Sequence, residues 1–111
     1  MIAALAALSA ALAIAAGAFG AHGAASPQAA EWLRTGGMYQ LVNAVAVLAL
    51  GALAVGAGAR WAVLAGSLIF AGTLYAMAFG APRWLGAITP IGGVLMILGW
   101  LWAAWSLLRH S

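Results

Sequence analysis

Long apolar stretches without charged side chains recur four times along the chain, at about residues 2–21, 38–58, 61–80 and 90–108. About 20 helical residues, each rising about 1.5 Å, cross the roughly 30 Å hydrocarbon core of a bilayer. Continuous apolar runs of this length exclude the short alternating strands of a membrane barrel. The pattern therefore predicts an all-α integral membrane protein, a four-helix bundle that forms a single domain over residues 1–111.

The residues between the apolar stretches indicate how the helices are joined. Gly56, Gly58 and Arg60 form a short link, so the second and third helices are expected to pack as an antiparallel hairpin. Thr89 followed by Pro90 has the pattern of an N-cap residue with proline at the first helical position. The fourth helix is therefore predicted to begin there.

A short polar segment follows the first apolar stretch. Ser26 and Pro27 repeat the pattern of cap and proline, and they open a segment of about residues 26–36 that two consecutive glycines are expected to end. Glu31 and Arg34 are three residues apart, so they can pair on a helical surface. We predict a short helix here that lies at the membrane interface.

Composition excludes several classes of protein. Hydrophobic residues make up 68% of the chain and charged residues 5%, whereas about a quarter of a soluble domain is charged. The net charge is +3, but no basic patch is present that would neutralise nucleic-acid phosphates, so no nucleic-acid partner is expected. The chain has no cysteine, which excludes disulfides and thiolate metal sites.

Orientation rests on few charges. With four spans, both termini lie on one side of the membrane together with Arg60 and Arg109, and Arg34 and Arg83 lie on the other. The count of basic residues is equal on the two sides and the positive-inside rule decides little. The free N-terminus favours an orientation with both termini in the cytoplasm.

Small residues are expected to hold the bundle together, because helices in lipid associate by close packing and interhelical hydrogen bonds. Alanine recurs every fourth residue in the first helix and predicts a smooth contact stripe: Ala3, Ala7, Ala11 and Ala15. Gly66 in the third helix and Gly92 in the fourth predict similar close contacts. Such surfaces leave little room for a lumen.

Polar side chains within the spans are candidates for function, because each is costly in lipid unless it has a partner. Gln40 and Asn43 share one face near the start of the second span. They form either a hydrogen-bonding site for a lipid headgroup or small polar ligand, or a link between helices, and the second interpretation is favoured. Thr73 and Tyr75 in the third span present the same choice.

Catalytic and cofactor sites are not expected. His22 and His110 fall on opposite faces of the membrane, so they cannot share a haem or a metal within one subunit. The single acid excludes a carboxylate pair, and no acid lies in the first span to drive proton-coupled export of cations. We therefore predict no cofactor, no metal and a non-enzymatic protein; a small-solute transporter or channel subunit is the alternative, and an enzyme acting on lipid is less favoured still.

Five motifs occur in the order found in a known family: residues 17–23 (GAFGAHG), 35–40 (TGGMYQ), 72–75 (GTLY), 85–93 (LGAITPIGG) and Gly99 with Trp100. Over nearly its whole length the chain resembles the YgdD-type bacterial inner-membrane family, a domain of unknown function with number 423, and it is similar to the eukaryotic transmembrane protein 256 group. The resemblance implies a four-span protein of the bacterial inner membrane with no established activity. The family usually carries a histidine where this sequence has Asn43, so hydrogen bonding is expected there and proton transfer is not.

The candidate residues fall at one end of the predicted bundle: His22, Glu31, Arg34, Tyr39, Gln40, Asn43, Arg83 and Thr89. We hypothesise a shallow polar pocket at this end, covered by residues 24–37, in which Arg34 or Arg83 binds a phospholipid headgroup. The N–H groups that begin the fourth helix would also suit an anion. The alternative is that the glycine and Thr-Pro motifs only determine turns. Membrane lipids are the expected partners, with a homo-oligomer or a larger membrane-protein complex as a further expectation.

Overall fold

The computed structural model describes residues 1–110 and is helical along nearly all of them. Four α-helices follow one another: α1 Ile2–His22, α2 Pro27–Ala52, α3 Ala57–Ala78 and α4 Thr89–Arg109. Each is long and apolar enough to cross a membrane. The predicted all-α membrane bundle with four spans is therefore confirmed.

The helices are arranged in chain order. α1 packs along α2, α2 along α3 and α3 along α4, whereas α1 and α3 touch at few points. The core between them includes Ala6, Val47, Val63 and Leu64, all nearly inaccessible to solvent. Because only four residues separate the end of α2 from the start of α3, these two helices form the predicted antiparallel hairpin.

The polar segment after α1 was predicted to be a separate interfacial helix. This prediction is wrong, because the segment is the first part of α2. Ser26 caps this helix, its side chain accepting a hydrogen bond from the N–H of Ala29. The helix continues through Gly36 and Gly37 because both serve close packing: a Cβ on Gly37 would lie 3.1 Å from the carbonyl oxygen of Ala13. A glycine pair therefore marks a helix contact here and not a helix end.

The start of α4 also differs from the prediction. Thr89 is already helical, Ile88 occupies the N-cap position, and a short 3₁₀ helix precedes it at Arg83–Ala87. The Thr89 hydroxyl does not cap the helix, since it lies 2.6 Å from the hydroxyl of Thr73 on α3. Tertiary hydrogen bonding has replaced the local cap.

The contact face of α1 is not the predicted alanine stripe. The stripe Ala3, Ala7, Ala11 and Ala15 is exposed, and the buried positions are Ala6, Ser9, Ala13 and Gly20. A Cβ on Gly20 would lie 2.9 Å from the Cβ of Leu33, so α1 and α2 approach closely at this glycine. Gly20 and Ser9 therefore lie on the face of α1 that packs against α2.

Candidate functional site

Gln40 joins three helices near the middle of the bundle. Its amide Nε2 donates to the hydroxyl of Ser9 on α1 at 2.9 Å, and its Oε1 accepts from the hydroxyl of Tyr75 on α3 at 2.6 Å. The Gln40 side chain is only 2% exposed. In hydrocarbon such groups have no water to bond, so the three side chains stabilise one another and fix α1 against α2 and α3.

Asn43 makes a comparable link between α2 and α4. The indole Nε1 of Trp100 donates to Asn43 Oδ1 at 2.9 Å, and Asn43 Nδ2 donates to the carbonyl oxygen of Tyr39 at 2.7 Å. Thr73 and Thr89 add the link between α3 and α4 described above. Within residues 1–110, no buried side-chain nitrogen or oxygen is left without a hydrogen-bond partner.

An apolar groove lies between α1 and α3, with α2 as its floor. Its volume is about 440 Å³. The lining residues come from all three helices: Leu12, Ala15, Ala16, Phe19, Leu33, Gln40, Leu68, Gly72, Tyr75 and Phe79. Because α1 and α3 barely touch, the groove is a gap between neighbouring helices that opens on the side of the bundle.

A second cavity, of about 380 Å³, continues from the groove toward the end of the bundle where α1 ends and α2 begins. The two share Phe19, Leu33 and Phe79 in their linings. The rings of Phe19 and Phe79 stand 5.4 Å apart between centroids and mark the junction. The outer cavity is more polar than the groove, since Ser26 and the backbone of the turn at residues 23–25 line it together with Trp32.

The two candidate arginines at this end differ in their partners. Arg34 pairs with Glu31 on the exposed surface of α2, as their spacing predicted. Arg83 instead lies over the ring of Trp32, its guanidinium carbon 5.6 Å from the ring centroid. Because Glu31 is the only acidic side chain of the protein and pairs with Arg34, Arg83 has no carboxylate side-chain partner. It stands beside the outer cavity, which Trp32 lines.

The structure separates the eight predicted site residues. Four are exposed at the end of the bundle that carries the outer cavity: His22, Glu31, Arg34 and Arg83. Three are buried in hydrogen bonds between or within helices: Gln40, Asn43 and Thr89. Tyr39 packs its ring on Phe70, with 4.8 Å between centroids. Of these eight residues, Gln40 lines the apolar groove and none lines the outer cavity.

Several residues of these sites were missed in the sequence. Ser9 is the only polar residue in α1 between Ile2 and Ala21, and this isolation was the available sign that it has a partner. Phe19 and Phe79 gave no such sign, because an apolar side chain that lines a groove looks like one that faces lipid. The hydrogen bond from Trp100 to Asn43 could not be predicted from the sequence, because it depends on the spacing of α2 and α4.

Comparisons with known proteins give a family and no activity. The family model described as "Protein of unknown function (DUF423)" matches residues 16–93. The chain is 44% identical over 79 residues to a UPF0382 membrane protein of Haemophilus influenzae, a match that covers 67% of this chain and 64% of that protein. It is 37% identical over 74 residues to the UPF0382 membrane protein YwdK of Bacillus subtilis, which covers 60% of each.

The UPF0382 inner membrane protein YgdD of Escherichia coli is 33% identical over 75 residues, covering 62% of this chain and 57% of that protein. The chain therefore spans less than two thirds of the length of each of these three relatives. No solved structure matches it significantly.

Proposed function

We propose a lipid-binding function for this chain, which belongs to the DUF423 family of membrane proteins of unknown function. The groove between α1 and α3 would hold one hydrocarbon chain of a phospholipid, and the outer cavity its anionic headgroup. The protein would act by binding and not by catalysis. This proposal deepens the expectation that the polar end of the bundle recognises lipid.

The shape and lining of the groove support a bound hydrocarbon chain. Of the ten residues that line the groove, seven have apolar side chains and one is Gly72. The two polar residues, Gln40 and Tyr75, are already hydrogen-bonded to each other. Because lipid tails are as apolar as leucine, a chain gains from this groove through close packing and not through the hydrophobic effect. A specific lipid is therefore selected by its headgroup.

The charges at the outer end support an anionic headgroup. Arg83 has no carboxylate side-chain partner and is held beside the cavity by its contact with the Trp32 ring. A guanidinium presents planar N–H groups that match phosphate oxygens. Arg34 is a weaker candidate because Glu31 already pairs with it. The single observation that carries the proposal is an apolar groove leading to a cavity beside an arginine without a carboxylate partner.

Native mass spectrometry of the protein purified in a mild detergent tests this proposal. We expect wild-type protein to retain one anionic phospholipid per chain. Arg83→Ala is expected to lower the retained anionic lipid by about fivefold or more, because one basic residue near a membrane contributes about 1 kcal/mol to such binding. Gly72→Leu places a side chain in the groove, where a Cβ meets nothing within 4 Å, and is expected to reduce binding of any phospholipid.

Two variants serve as matched controls. Arg34→Ala removes the same charge from the same end of the bundle, and Ala11→Leu adds a similar bulk on the exposed face of α1. Both are expected to retain lipid at the wild-type level. Unchanged lipid content in Arg83→Ala and Gly72→Leu rules the site out, and equal losses in Arg34→Ala show that only net charge matters.

A further inference from the structure

A third cavity lies between α2 and α4 and shares no lining residue with the groove between α1 and α3. Its volume is about 360 Å³. The lining consists of three aromatic side chains, one amide, two aliphatic or thioether side chains and a glycine: Tyr39, Phe70, Trp100, Asn43, Met96, Ile97 and Gly93. It is a separate candidate binding site.

The walls of this cavity suit a flat ring more than a hydrocarbon chain. Tyr39 and Phe70 pack against each other with 4.8 Å between ring centroids and 54° between ring planes. Trp100 is 41% exposed and presents part of its indole to the same space. Aromatic faces and edges, with the thioether of Met96 beside them, give a planar conjugated ligand contacts that an acyl chain does not use.

The polar groups of the cavity are hydrogen-bond donors. The Trp100 indole N–H can only donate, so it fixes the Asn43 amide with its oxygen toward the indole and its NH₂ group away from it. One N–H of that NH₂ group bonds the carbonyl oxygen of Tyr39, and the other has no partner within residues 1–110. The Tyr39 hydroxyl likewise makes no hydrogen bond within the described chain. Asn43 is 5% exposed, and its Nδ2 nitrogen, which already makes one hydrogen bond, can donate a second one.

From this chemistry we propose that the α2–α4 cavity binds a quinone-type isoprenoid, meaning a planar ring with ring carbonyls and an apolar tail. The ring packs among Tyr39, Phe70 and Trp100, and its carbonyl oxygens accept from the Asn43 N–H and the Tyr39 hydroxyl. A ring carbonyl can accept the second hydrogen bond of the Asn43 amide and the hydrogen bond of the Tyr39 hydroxyl without bringing a charge into the membrane. The tail stays in the bilayer, from which the ligand enters sideways.

Titration of the detergent-purified protein with a decyl-substituted benzoquinone, followed by native mass spectrometry, tests the proposal. We expect one saturable adduct per chain. Gly93→Leu fills the cavity, where a Cβ meets only the Phe70 ring at 3.8 Å, and is expected to abolish the adduct without unfolding the protein. Tyr39→Phe removes one donor from an exposed side chain and is expected to weaken binding about two- to tenfold.

The matched control is Gly72→Leu, which fills the other groove and is expected to bind the quinone as wild type does. Decylbenzene has the tail and a ring but no carbonyls, and is expected to bind at least tenfold more weakly than the quinone. Equal binding of decylbenzene, wild-type affinity in Gly93→Leu, or loss of the adduct in Gly72→Leu each overturns the proposal. The thermal unfolding of each variant shows that a lost adduct is not a lost fold.

Discussion

Individual glycines determine how closely α3 and α4 pack. A Cβ on Gly92 would lie 2.5 Å from the backbone nitrogen of Phe70 and 2.6 Å from the carbonyl oxygen of Gly66. On the other side of the contact, a Cβ on Gly66 would lie 2.6 Å from the backbone nitrogen of Met96. Backbone atoms cannot rotate away as a flexible side chain does, so at these positions the two helices require glycine.

Gly92→Ala is therefore expected to destabilise the protein by about 1–3 kcal/mol, the usual cost of excess volume in a packed contact. Gly72→Ala is the matched control, because the same methyl group meets nothing within 4 Å there. It is expected to be neutral or slightly stabilising, since alanine favours a helix over glycine. Unfolding midpoints in detergent measure both, and equal effects at the two positions would contradict the backbone contact.

For individual residues, the sequence predicted the helix contacts made by glycines better than those made by alanines. Gly66 and Gly92 were expected to make close contacts, and they do. The stripe that begins at Ala3 was expected to pack and is exposed instead. The reason is that alanine occurs around the whole circumference of α1, so a four-residue spacing occurs on several faces and does not select the buried one.

The attachment of α1 depends on few interactions outside its contact with α2. Ser9 and Tyr75 both hydrogen-bond to Gln40, one through its nitrogen and the other through its oxygen. This chain of three side chains is the hydrogen-bonded connection between α1 and α3. Two substitutions that act through one shared partner are not independent.

Tyr75→Phe and Ser9→Ala are each expected to destabilise the protein by about 0.6–2 kcal/mol, the range found for hydrogen bonds between membrane helices. The double variant is expected to lose less than the sum, because Gln40 is already free to reorient after the first bond is lost. A double-mutant cycle on the unfolding free energies in detergent measures this coupling. Strict additivity of the two losses would show that the three side chains do not act as a unit.

The limits of α2 and α4 show what local patterns can predict for a helix. Ser26 and Pro27 correctly predicted that a helix begins there, because capping depends on neighbouring residues alone, but that helix was expected to be a short interfacial one and is the start of α2. The end predicted at Gly36 was wrong, since a glycine that stops a helix and one that admits another helix look alike in sequence. Thr89 was misassigned as a cap for a similar reason: its actual partner, Thr73, is on another helix.

The candidate sites of the whole molecule were only partly predictable. Charged residues cannot remain in hydrocarbon, so their position at the ends of the bundle followed from the sequence. The two apolar cavities did not, because their linings have the composition of any lipid-facing surface. They arise where neighbouring helices stand apart, and this spacing depends on glycines and hydrogen bonds spread over all four helices.

The dimensions of the molecule relate these sites to the bilayer. Its principal extents are 48 × 25 × 20 Å, and the long axis exceeds the roughly 30 Å hydrocarbon core. The ends that carry Arg83 and Arg109 therefore reach the headgroup regions on opposite sides. Four crossings also place the turn between α2 and α3 on the side of the two termini.

Single cysteines introduced at exposed positions test this topology, and the protein has no native cysteine to interfere. With both termini in the cytoplasm, Gly56→Cys and His110→Cys are expected to react with a membrane-impermeant maleimide only from the cytoplasmic side. Ala25→Cys and the less exposed Ala81→Cys are expected to react only from the outside. The reverse pattern would invert the orientation and keep the four crossings. If Gly56→Cys and Ala25→Cys reacted from the same side, however, α2 would not cross the membrane. Neither the groove between α1 and α3 nor the cavity between α2 and α4 would then open onto the bilayer as proposed.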